Sequence, residues 1–130
     1  MVKMLLEAVQ SLDSRDTPSL VPDDRAIDLV HLARTTLGDR ALEREVLQLF
    51  DRQSSLLIGR MRDAAPAAVA ALAHTLKGSA RGIGAWRVAH AAETLELAGN
   101  AGEPTGVLLD KLAAASDEAC AVIADLLRAH

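Results

Sequence analysis

The sequence predicts an all-α fold, and three observations carry that expectation. Of 130 residues, 25 are alanine and 21 are leucine, which are among the best helix formers. Phe50 and Trp86 are the only aromatics and there is no tyrosine, so the residues that mark strands are scarce. Apolar side chains also recur every three or four positions along most of the chain, the period of an amphipathic helix. A sandwich, a barrel or a doubly wound sheet is disfavoured.

Residues 2–12 allow a short amphipathic helix, with Met4, Leu5, Ala8, Val9 and Leu12 at helical spacing. The polar stretch DSRDTPSLVPDD at 13–24 carries Pro18 and Pro22 and reads as a linker, so residues 1–24 are expected to be a leader. Asp23 or Asp24 then caps a helix over about 25–37, with Ile27, Val30 or His31, and Arg34 or Leu37 at successive turns and Gly38 closing it. Asp39 is a good N-cap for the longest helix, about 40–63. Its stripe is Leu42, Val46, Leu49, Phe50, Leu56, Leu57 and Met61, interrupted by Gln53.

Pro66 opens the next helix, because its missing N–H has no intrahelical partner at the first position. That helix runs to about 81 and stops in the glycines of RGIG. Trp86, Ala89, Ala92, Leu95 and Leu97 place another over about 85–98, ended by GNAG. Pro104 or Thr105 starts the last, with Leu108, Leu112, Ala115, Ala119, Val122 or Ile123, and Leu126 inward. The connections are short, so sequential neighbours are expected to be antiparallel.

At 13.7 kDa, folding buries roughly two thirds of the unfolded surface, enough for one core over residues 25–130. The single cysteine, Cys120, excludes an internal disulfide and fits a reducing compartment. No apolar run approaches the ~20 residues of a membrane span, and MVKMLLEAVQSLD meets Glu7 too early for a secretory signal. The net charge of −4 disfavours nucleic acid as a partner, since its footprint is clustered Lys and Arg. A cytoplasmic location is expected.

The helix starting at Pro66 has two stripes. Val69, Leu72, Ala73, Leu76, Ala80 and Ile83 make the buried one. The other runs through Ala67, Ala70, Ala71, His74, Lys77, Gly78 and Arg81. It is nearly bare of bulk, and its only large side chains are an imidazole and two cations. A solvated face would mix Glu with Lys and Arg; this one has no acid of its own. Residues i and i+3 lie about 5–6 Å apart at Cβ, which puts Lys77 beside anything attached to His74. A histidine with the ordinary pKa near ~6.5 is mostly neutral at pH 7, with one ring nitrogen free to act as a nucleophile. A phosphoryl group on that nitrogen meets the Lys77 ammonium one turn away, and Arg81 a turn further. Gly78 costs about 1 kcal/mol of helix stability against alanine, and close approach by a partner is the reason it suggests. Ala67, Ala70 and Ala71 form a smooth apron for that partner, with Ser79 among the small residues beside them.

The segment AHTLKGSARGIGAWRVAHAAETLE resembles the signature of histidine-containing phosphotransfer (HPt) domains. That signature has a phosphorylatable His, then an aliphatic residue at +2, Lys at +3, Gly at +4, small residues at +5 and +6, Gly at +10 and Leu-Glu at +21 and +22. His74, Leu76, Lys77, Gly78, Ser79, Ala80, Gly84, Leu95 and Glu96 stand at those places, and the likeness extends over about residues 25–128. The resemblance implies an up-down antiparallel four-helix bundle with an additional N-terminal helix. It also implies that His74 accepts phosphate, usually at Nε2, from a receiver-domain aspartyl phosphate and passes it to another receiver. Such modules carry no cofactor of their own; Mg²⁺ comes with the receiver, and a histidine kinase, hybrid or classical, stands upstream. Arg81 departs from the pattern, since that place is often small or uncharged. It either strengthens phosphoryl binding or selects a receiver with acidic residues around its active site.

Plainer roles are assigned elsewhere. His31 and His90 are read as structural or surface residues, and His90 with Glu93 is a poor metal pair. Trp86 packs the end of the bundle and needs a partner for its indole N–H. Cys120 is a small core residue, Leu95 is core, and Glu96 covers a polar edge with no chemistry assigned. The competing function is a helical adaptor that binds a receiver or kinase without carrying phosphate. A dimeric kinase-type bundle is a third reading, set against the expectation of a monomer.

Overall fold

The computed structural model describes residues 25–129. Five helices follow one another: α1 (Leu29–Thr35), α2 (Arg40–Met61), α3 (Pro66–Ile83), α4 (Trp86–Asn100) and α5 (Gly106–Ala129). There is no strand among the described residues. The leader expected at 1–24, with its short helix, lies outside them, as do Asp23, Asp24 and His130.

Helices α2 to α5 pack as a closed ring, α2 on α3, α3 on α4, α4 on α5 and α5 back on α2. Cross-helix bonds show the antiparallel sense, because numbers rise on one helix as they fall on its partner. Between α2 and α5, Arg44 Nη1 donates to the Leu127 carbonyl at 2.9 Å, Ser54 Oγ lies 3.6 Å from Cys120 Sγ, and Arg62 Nη1 bonds Asp110 Oδ1 at 2.9 Å. Arg87 pairs with Glu118 between α4 and α5. The fold is an up-down four-helix bundle with α1 as an extra N-terminal helix. One core fills it, built from Val46, Leu47, Phe50, Leu57 and Met61 of α2, Val69, Leu76 and Ile83 of α3, Val88 and Leu95 of α4, and Leu109, Leu112 and Ile123 of α5, with Ile27 and Leu32 at one end.

The boundaries follow from caps. Asp39 caps α2 as expected, its side chain accepting from the Leu42 N–H at 3.1 Å. The first helix is shorter than its expected 25–37, because Asp28 caps it, accepting from the His31 N–H at 3.1 Å. Leu37, one of the candidates for its inward face, instead takes a left-handed φ of 55° in the turn and is exposed.

Three leucines expected inward are also exposed: Leu49, Leu56 and Leu97. On α2 the buried line runs Leu47, Phe50, Ser54, Leu57 and Met61. Ser54 can occupy it because its hydroxyl donates to the Asp51 carbonyl at 3.1 Å, so the serine needs no water; a count of apolar residues alone slides the stripe to Leu49 and Leu56. On α4, Ala98 and Gly99 take the buried positions. On α5, Leu109, Leu112, Ser116, Ala119 and Ile123 are buried, and Leu108, Ala115, Val122 and Leu126 flank them. Cys120 is half-buried, and burial pushes its thiol pKa up.

Candidate functional site

Two contacts fix α3 and α4 as a rigid hairpin. At the open end, a Cβ on Gly99 would lie 2.5 Å from the Pro66 carbonyl oxygen and 3.0 Å from Ala70 Cβ, so only glycine lets the helices approach this closely. At the turn, the helix ends in a Schellman arrangement. The Ala85 N–H donates to the Ala80 carbonyl at 2.8 Å and the Gly84 N–H to Arg81 at 3.3 Å, with Gly84 at φ 80°.

The N-terminal segment straps this turn. The Asp28 N–H donates to the Gly84 carbonyl at 2.9 Å, and Thr35 Oγ1 donates to the Gly82 carbonyl at 3.0 Å. Trp86 Nε1 finds the partner it requires in Asp28 Oδ2 at 3.0 Å. Buried His31 meets the indole in an edge-to-face contact, centroids 4.9 Å apart. Burial alone would raise the Asp28 carboxyl pKa, but the bonds from Trp86 and from the His31 backbone outweigh it and hold it below the usual range.

The hairpin brings His74 and Lys77 together with Glu96 of α4. The imidazole is 65% exposed, whereas the Lys77 and Glu96 side chains are only 16% and 17% exposed. Glu96 Oε2 lies 2.8 Å from His74 Nδ1, and Glu96 Oε1 accepts from Lys77 Nζ at 2.7 Å. Burial opposes ionisation of Glu96, yet these two hydrogen bonds and the nearby positive charge carry its pKa below the ordinary value. An ionised carboxylate can only accept. Nδ1 is therefore the donor, and in a neutral ring the lone pair sits on Nε2.

Gly78 adjoins this group, and a Cβ built on it would meet nothing within 4 Å. The bundle itself does not require a glycine there. Ala67 and Ala71 are exposed one to two turns before His74 on the same helix. Ala70 is not part of that apron: it is buried against Gly99, because the α4 backbone comes closer than a helical wheel of α3 alone reveals. Ser79 is half-buried and, five residues on, lies about 140° around the helix from His74, off the His74 face. The Arg81 guanidinium reaches Glu93 Oε2 at 3.4 Å, across the hairpin.

A family model described as Hpt domain matches residues 39–129. The chain belongs to the Hpt domain family. The match opens at the Asp39 cap and closes with α5, so it spans the four bundle helices and leaves α1 outside. Hpt domains serve phosphotransfer in two-component signalling and work with receiver domains and histidine kinases. No curated protein and no solved structure matches the chain.

Sequence reasoning placed His74, Lys77 and Gly78 on one face of this Hpt domain, and the structure brings them together there. It assigned no chemistry to Glu96. The signal for Glu96 was its register 22 residues after His74, but the contact itself depends on how two antiparallel helices align. The same holds for Glu93 opposite Arg81. Among the described residues, no group of three or more His, Cys, Asp or Glu could hold a metal ion, and no helix is long and apolar enough to cross a membrane.

Proposed function

We propose that the protein is a phosphorelay intermediate in which His74 Nε2 carries the phosphoryl group between receiver domains. The observation supporting this most is the double contact of Glu96, which places the proton on Nδ1 and so the lone pair on Nε2 of a mostly solvent-facing ring.

In this reading the Nε2 lone pair attacks the phosphorus of a receiver aspartyl phosphate. The N–P bond forms as the P–O bond to the aspartate breaks, and the bonding pair leaves on the receiver carboxylate. No proton has to be removed from the nucleophile. The ring becomes positively charged with its proton retained on Nδ1, and Glu96 faces that charge. Lys77 has three N–H donors and uses one on Glu96, leaving others for the phosphoryl oxygens. Positioning and charge stabilisation are what a loose phosphoryl transition state needs. Gly78, Ala67 and Ala71 keep the approach to Nε2 clear of bulk. Mg²⁺ belongs to the receiver, and reversal of the same step delivers phosphate to the next one.

Incubation with a phosphorylated receiver and Mg²⁺ is expected to place acid-labile, base-stable phosphate on the protein, with phosphorus on Nε2 by nuclear magnetic resonance. His74→Gln should accept none. Undiminished labelling of that variant would overturn the assignment.

A further inference from the structure

Resting on the assignment of His74 as the phosphoryl carrier, we infer that the Arg81–Glu93 pair is the charge-reading element of the docking face. It favours a receiver that presents a carboxylate toward the C-terminal end of α3 and a neutral or basic side chain toward α4.

Arg81 lies seven residues beyond His74, about 10 Å along the helix axis. A partner covering about 800 Å² of this surface corresponds to a disc of radius about 16 Å. A receiver centred on His74 therefore covers Arg81 and, across the hairpin, Glu93.

Lys77 and Glu96 sit low between the helices and are committed to each other at 2.7 Å. Arg81 and Glu93 are 35% and 42% exposed and touch only at 3.4 Å, a long, solvated pair that adds little to stability and separates cheaply. Ala67, Ala71 and Gly78 carry no charge, and Arg87 is occupied by Glu118 on the α5 side. On α3 itself Lys77 and Arg81 are the only charged residues. Between α3 and α4, discrimination by charge near His74 thus falls to Arg81 and Glu93, with a fixed polarity of cation on α3 and anion on α4. Complementary charges at a rim raise association rates, and mismatched ones reject partners.

The test is the exchange variant R81E/E93R, which keeps an ion pair between the helices but reverses its polarity. Transfer is measured from purified, phosphorylated receiver domains of the source organism, ranked first on the unaltered protein. For the preferred receiver, kcat/KM should fall about tenfold or more while the rate at saturating receiver is kept, and the rank order of receivers should change. Unchanged kcat/KM and rank order would reduce the pair to an intramolecular clasp and overturn the inference. A fall in the saturated rate at unchanged KM would also overturn it, by assigning Arg81 to the chemical step. Should the exchange variant unfold, R81Q/E93Q replaces it, with preferred and disfavoured receivers expected to converge in kcat/KM and undiminished preference counting against the idea. His74→Gln runs in parallel: transfer to that variant sinks the phosphate-carrier reading itself, whereas an inert His74→Gln beside an unaffected exchange variant sinks only the role of the pair.

Discussion

Glu96→Gln tests the chemistry of the site with almost no change of shape. The carboxylate accepts from two donors, His74 Nδ1 at 2.8 Å and Lys77 Nζ at 2.7 Å. An amide has one acceptor oxygen and an NH₂ that donates, so it satisfies only one of them. The ammonium of Lys77, largely withdrawn from water, takes the oxygen. The NH₂ then faces Nδ1, which becomes the acceptor and moves the ring proton to Nε2. A hydrogen bond to a charged group contributes about 1.5–3 kcal/mol. At about 1.4 kcal/mol per factor of ten, the reactive tautomer and the transfer rate should drop roughly 10- to 100-fold. Single-turnover transfer at saturating receiver reads the rate, and a long-range proton–nitrogen spectrum of the imidazole reads which nitrogen is protonated. A variant that transfers at the unaltered rate, or an unaltered protein with its proton on Nε2, would refute the reasoning.

Other outcomes follow from particular contacts. Gly78→Ala should leave the helix unchanged or stabilise it by up to about 1 kcal/mol, because its Cβ meets nothing, while Gly78→Leu should fold and slow transfer; thermal melts and transfer rates separate the two effects. Gly99→Ala drives a methyl to 2.5 Å from the Pro66 oxygen and should cost about 1–3 kcal/mol, read as a lowered melting temperature. Asp28 and Glu96 both hold their protons less tightly when folded, against ordinary values of 3.8 and 4.5. Their contribution to stability is therefore full above about pH 5 and is lost as pH falls through their lower folded values. Melting temperature against pH should be flatter on the acid side for Asp28→Asn combined with Glu96→Gln.

The helices were legible because alanine, leucine, Asp39 and Pro66 act locally, each within a turn of its own position. His74, Lys77 and Gly78 were legible for the same reason, since one helix carries them all. Hydropathy alone points Leu49, Leu56 and Leu97 inward, while Ser54 and Gly99 occupy the buried lines through a local hydrogen bond and a close helix approach. Local pattern favours Asp23 or Asp24 as the first cap, whereas Asp28 holds it. Its cap bond to the His31 N–H is local, but its bonds to Gly84 and Trp86 join residues more than 50 positions apart, which no local pattern reveals.

The close approach at Gly99 and the strap at Gly84 have a consequence for how the module is built. His74, Lys77, Glu96, Arg81 and Glu93 all lie within the contiguous stretch 66–100, so the reacting group and its neighbours form through short-range contacts of the kind that assemble early in folding. On the proposed assignments, nucleophile, counter-ion and partner-reading pair all sit on two consecutive helices, while α2 and α5 complete the core behind them. If the proposed roles hold, substitution at Arg81 and Glu93 redirects the protein toward a new receiver while His74, Lys77 and Glu96 keep their contacts.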